Sequence, residues 1–243
     1  MYRKYTESFG LSPFLSVYTE SFCLIIVGQS DHETNDMNDK KPTQYQVNQD
    51  GLPDKFPTHG HEAPFWESLG RAVATFGFLE EILGKAIFAF IATRAYEEYE
   101  IDQAYAEWLP KLERALIDPL GNLIDTYGKA VRDNPGAVIE NFDELLGNLR
   151  NASQRRNILC HGSWGLPDTN GASIPFFVNR QKQIVNTPMD RQSIDQVQQY
   201  TVNLICAVIN TVTQMGWQFP GSVGPGKTIW ETTAQHITAV DSR

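Results

Sequence analysis

The chain has 243 residues, of which 41% are hydrophobic and 20% charged, with a formal net charge of −9 and a pI near 5.0. That composition supports a packed core and excludes global disorder. The acidity excludes a bulk electrostatic grip on nucleic acid, so any such contact needs a local basic patch.

No stretch is long and apolar enough to span a membrane. The three cysteines, Cys23, Cys160 and Cys206, are widely spaced and odd in number. Neither a disulfide framework nor a paired-cysteine zinc site is readable from them. A soluble protein of the reducing cytoplasm is the expectation. Asn151-Ala152-Ser153 matches a glycosylation acceptor only by chance, because it falls on a predicted helix.

Residues 1–58 read as a poorly ordered extension. Phe22 to Val27 form a short apolar run with strand character, and Gly28 to Asp54 is polar without periodicity. The beginning of the chain lacks the compact basic and apolar regions of a signal peptide, and Met37 offers an alternative start.

A first amphipathic helix is predicted from near Pro64, with Phe65, Leu69, Val73, Phe76, Leu79, Leu83, Ile87 and Phe90 as its stripe. Glu62 and Glu67 suit the positive end of its dipole. A second pattern runs through Leu109, Leu112, Leu116, Leu120, Ile124 and Tyr127, with a kink or break expected at Pro119. Asp133-Asn134-Pro135-Gly136 signals a turn. A third helix carries Val138, Phe142, Leu145, Leu149 and Ala152, and its stripe continues to Arg156. Gly162 is placed to end it. Residues 163–189 read as a loop and hairpin, with Ile174 to Val178 and Gln183 to Val185 as its β-prone runs. A fourth helix is predicted from near Ser193, with Gln196 completing a capping box, and Ile194, Val197, Leu204, Val208, Val212 and Met215 as its stripe. From Phe219 the chain is rich in Gly, Pro and Thr and reads as a tail.

The arginine on the third stripe is a local conflict, because it brings a charge to a face that should be buried. Arg156, Asn157 and His161 together suit phosphodiester cleavage. A histidine that titrates near neutrality can move the proton of a ribose 2′-OH or of the leaving oxygen. A guanidinium holds a phosphate in two-point contact. Five residue steps rotate a helix by about 140° net, so the two side chains align only if the helix ends at Gly162 and His161 swings back. A plain structural alternative pairs Arg156 with a carboxylate at a helix interface and leaves His161 to satisfy terminal carbonyls.

Arg156-Asn157-Ile158-Leu159-Cys160-His161, on the penultimate core helix of a small helical domain, resembles the Arg-x4-His motif of HEPN domains (higher eukaryote and prokaryote nucleotide-binding). The resemblance covers roughly residues 62–217 by motif placement and helix order. It implies a helical bundle acting as a homodimer with two Arg–His pairs across a cleft; with the hairpin read from residues 163–189, the expected fold is all-α with a small β-hairpin before the last core helix. Many active HEPN members are metal-independent endoribonucleases of toxin–antitoxin or other defence systems. The resemblance therefore implies an RNA substrate, no cofactor or metal, and an antitoxin or regulatory partner. Arg156, Asn157 and His161 are its catalytic positions. Some members carry a tyrosine two places after the histidine as a modification target; Ser163 stands there in this chain.

Arg150, Arg155, Arg156, Arg180, Lys182 and Arg191 surround the motif in sequence, and Arg155 and Arg150 are the candidates for substrate contact. The expected organisation is an extension over 1–58, a HEPN-like domain over 59–217 and a tail over 218–243. The alternative to a ribonuclease is a non-catalytic helical dimer that binds RNA, a nucleotide or a protein. A third reading is a helical interaction protein with a chance motif.

Other motifs carry less. Gly221 to Thr228 spells a P-loop, but a helix precedes it where the function needs a buried strand. His59 and His61 flank Gly60 without the spacing of a metal site. The serine of His161-Gly162-Ser163-Trp164-Gly165 lacks the strand–turn–helix context of a nucleophile elbow. Cys160 is expected to pack against the core. The aromatic series from Phe65 to Phe90 is read as core and dimer interface rather than a base-stacking surface.

Overall fold

Pro64 stands in the first turn of the longest helix, where its missing N–H breaks no helical hydrogen bond. In the computed structural model this helix, α1, spans Ala63–Ala92, a length of about 45 Å for its 30 residues. The structure describes residues 46–97, 99, 103, 106, 110, 118–224 and 226–229. The Phe22–Val27 run and the Leu109–Leu116 part of the second helical pattern lie outside them.

Three further helices are delimited among the described residues: α2 over Leu120–Asp133, α3 over Phe142–His161 and α4 over Arg191–Thr213. The protein is mainly α-helical. Pro119 breaks the second pattern rather than kinking it, and α2 begins at the next residue. Val138 does not join the third stripe. It precedes α3 and is 87% exposed, because Asn141 takes a left-handed conformation (φ 53°) that resets the backbone just before Phe142.

The chain divides into two compact units, Met1–His59 and Gly60–Arg243. In the first, the described residues hold one 3-10 turn, Gln49–Gly51, capped by the Asn48 side chain. In the second, α1 touches α2, α3 and α4, and its buried side chains form the centre of the core. Phe65, Phe76, Leu79, Leu83, Ile87 and Phe90 of its predicted stripe are buried, whereas Val73 lies at the exposed edge. Tyr127 of α2 is buried against Phe90 and Phe142 and reaches Thr211 of α4.

Asn134 anchors the predicted turn. Its buried amide donates to the Phe90 carbonyl and to Thr93 Oγ1, and its side-chain oxygen accepts from the Gly136 N–H, so the end of α1 and the turn are satisfied by one residue. The cap of α4 is Asp190, three residues ahead of the expected Ser193, whose N–H and hydroxyl both donate to the Asp190 carboxylate.

The 163–189 segment is held by isolated antiparallel bridges, Ser163 with Phe176, Ser173 with Met189 and Val178 with Ile184. Past residue 217 the chain still packs. Phe219 is buried in the core, and Gln218 and Lys227 pair through the backbone.

Candidate functional site

Helix α3 presents its arginines to three different neighbours. Arg150 meets Asp125 of α2 at 3.0 Å. Arg155 lies over the Tyr200 ring of α4, 5.4 Å from its centroid. Arg156 turns toward α1, where its Nη2 stands 3.6 Å from Glu80 Oε1. Successive turns of about 100° per residue account for the divergence. The basic residues that are neighbours in sequence are therefore not one patch, and Arg150 is already engaged by a carboxylate.

Arg156 and Glu80 are both largely covered, with side-chain exposures of 28% and 29%. Ala152 and Leu149, one and two turns earlier, are fully buried and Leu159, just under one turn later, is buried too, so the arginine interrupts the apolar stripe of α3. Its Nη1 also lies 3.4 Å from Asn157 Oδ1, a long and weak hydrogen bond. The carboxylate partner anticipated for a structural arginine is thus present, and it is Glu80.

His161 is the last residue of α3 and is exposed. Among the described residues its side chain makes no hydrogen bond or ion pair, with Arg156 or with any other residue. Gly162 ends α3, yet with an ordinary φ of −69° rather than a left-handed one. The glycine is needed for space: a Cβ there would stand 2.5 Å from the Ile158 carbonyl oxygen and 2.8 Å from Pro175 Cβ.

Cys160, expected in the core, is exposed. Its thiol is pushed up by partial burial, pulled down by the Arg156 charge and pushed up again by Glu80. That electrostatic coupling joins Cys160 to the same cluster.

Glu80 escaped the sequence reading. The signal for it was there: Glu80 and Glu81 interrupt the apolar middle of α1, and a buried-face arginine on α3 required a counter-charge.

The remaining candidates have structural roles. The His61 ring stacks on Phe65 with centroids 3.7 Å apart, and its Nε2 lies 2.9 Å from the buried Ser173 hydroxyl. Burial lowers its pKa, and a hydrogen bond with the Gly165 backbone opposes that shift. It pins the 163–176 segment to the start of α1. Among the described residues no three His, Cys, Asp or Glu side chains gather to hold a metal ion. The described part of the P-loop-like segment pairs with the turn after α4, Lys227 bridging to Trp217, so a helix rather than a strand precedes it.

A cleft of about 500 Å³ opens at the N-terminal ends of α1 and α4, lined by Pro64, Phe65, Pro167, Asn170, Asp190 and Arg191 among others, and it includes none of the motif residues. No helix among the described residues is long and apolar enough to cross a membrane. Comparisons with protein families, curated proteins and solved structures find no match to this chain.

Proposed function

We propose that the chain is a HEPN-type, metal-independent endoribonuclease that acts as a homodimer, in the manner of a toxin or defence effector. The observation that carries the reading is the half-buried Arg156, held beside Asn157 on α3, with an exposed and uncommitted His161 at the end of the same helix. A guanidinium in that setting can donate to the non-bridging oxygens of a phosphodiester. A neutral His161 then accepts the proton of the ribose 2′-OH as its oxygen attacks phosphorus. The bond from phosphorus to the 5′-oxygen breaks, and the departing oxygen takes up a proton, leaving a 2′,3′-cyclic phosphate and a 5′-hydroxyl with no net proton consumed. Arg156 and His161 lie on different sides of α3, so a phosphate engaging both fits best between two copies of the chain.

The second reading is a non-catalytic helical dimer that binds RNA, a nucleotide or a protein. The Arg156–Glu80 ion pair favours it, because a paired arginine is a weaker anchor for phosphate.

The deciding experiment uses wild-type protein, purified free of any antitoxin, with labelled single-stranded RNA. His161→Ala and Arg156→Ala are each expected to abolish cleavage while the thermal transition persists. Their effects should not add, because both act on one transition state. Cleavage should survive EDTA and stop on a 2′-deoxy substitution at the cut. Failure of the wild type to cut RNA makes the non-catalytic reading the better one, and cleavage by both variants overturns the site.

A further inference from the structure

We infer that Glu80 is a positioning residue for Arg156, orienting the guanidinium for catalysis and suiting the site to a singly charged internal phosphodiester rather than a doubly charged terminal phosphate; the inference rests on the ribonuclease reading above. Glu80 Oε1 faces Nη2 across 3.6 Å, and Asn157 Oδ1 faces Nη1 across 3.4 Å. The guanidinium is thus tethered from two helices, by α1 through Glu80 and by α3 through Asn157. A guanidinium has five N–H donors; Asn157 takes one in a long hydrogen bond and Glu80, at 3.6 Å, is an ion-pair contact only, so most of the fork is left for a ligand.

Both contacts are longer than the 2.7–2.9 Å or so of a tight charge-assisted hydrogen bond. They orient the arginine without saturating it. Stability alone does not account for the pair, since a well-packed apolar pair between two helices is commonly as stable as a largely covered ion pair. A role for the charges is the simpler account.

Charge sets the specificity. Arg156 and Glu80 cancel, and His161 supplies at most one further positive charge, in its protonated form. A phosphodiester carries a single negative charge and needs no more than that. A terminal phosphate near neutrality carries close to two. The second charge would lie near the Glu80 carboxylate, whose repulsion disfavours RNA ends and free phosphate.

Cys160 supplies a readout that does not depend on catalysis. Its thiol senses Arg156 and Glu80 with opposite signs. Alkylation by iodoacetamide follows the thiolate fraction, and the rate at Cys160 can be read by mass spectrometry of its own peptide. Glu80→Gln is expected to speed alkylation at neutral pH, and Arg156→Gln to slow it. If neither changes the rate, the ion pair is absent and the inference is overturned.

The functional arm measures cleavage of labelled RNA by the full chain. Glu80→Gln is expected to lower kcat by about tenfold or more while KM stays level or falls, because orientation is lost and a repulsive charge removed. Inhibition by inorganic phosphate should tighten several-fold. Glu80→Asp should recover part of kcat and restore weak phosphate inhibition, which a purely structural role would not produce. Unchanged kcat, or unchanged phosphate inhibition, in Glu80→Gln overturns the positioning role even where the wild type cuts RNA. If alkylation responds as expected and the wild type cuts no RNA, the ion pair stands while the ribonuclease reading falls, and the positioning role falls with it.

Discussion

The phenol oxygen of Tyr127 lies 2.8 Å from Thr211 Oγ1, and the Thr211 hydroxyl lies 2.7 Å from the Val208 carbonyl. The threonine has one proton and gives it to that carbonyl, so Tyr127 is the donor to Thr211. The bond joins α2 to α4 in the core.

Tyr127→Phe should therefore cost about 1 kcal/mol, since one buried bond is lost while Thr211 keeps its carbonyl partner. Burial raises the Tyr127 pKa well above its ordinary value, against a smaller lowering by Thr211. The folded state thus disfavours the phenolate. Stability is kept below the unfolded tyrosine value, near 10, and declines as pH rises through it. Urea titrations of wild type and Tyr127→Phe at neutral and alkaline pH check both points. An identical alkaline decline in the two proteins would assign it to other groups.

Asp190 caps α4 by accepting from the Ser193 hydroxyl and N–H, and these bonds hold its carboxyl below the ordinary carboxylate range. Its stabilising contribution is present above the unfolded value of about 3.9 and fades as pH falls through the folded value. Asp190→Ala should cost about 1 kcal/mol near neutrality and progressively less in acid. Thermal melts of the two proteins from pH 7 down to pH 2 measure the gap, and a gap that fails to narrow contradicts the capping account.

Gly162→Ala should destabilise the end of α3 even though its φ is ordinary, because the added methyl meets the Ile158 carbonyl and Pro175. The expected cost is about 1–3 kcal/mol, relieved by fraying the last turn that carries His161. Amide hydrogen exchange over Leu159 to Ser163 should quicken more than exchange in α1. Uniform quickening would point to a global loss instead.

Phe78 is 48% exposed in the middle of α1. On the homodimer reading it belongs to the contact between copies, where a buried charge without a partner is costly. Phe78→Glu should convert a dimer to a monomer in sedimentation at micromolar concentration while leaving the helical signal intact. A wild type that sediments as a monomer at those concentrations removes the dimer from the account.

Periodicity alone made α1, α3 and α4 legible, because amphipathic repeats at helical spacing are local patterns that the core then enforces. Phe65, Phe76 and Leu79 could be placed inside by counting, and so could the conflict at Arg156. The turn at Asn134 and the break at Pro119 were also local, fixed by backbone chemistry within a few residues. Tertiary structure decided what sequence distance conceals. It set Arg150, Arg155 and Arg156 against three different elements and supplied Glu80, 76 positions away, as the counter-charge. It drew Phe219 into the core and moved the α4 cap to Asp190. The physical reason is the same in each case: a helix specifies its own faces, whereas the partner of a charge or a ring depends on how separate helices come together.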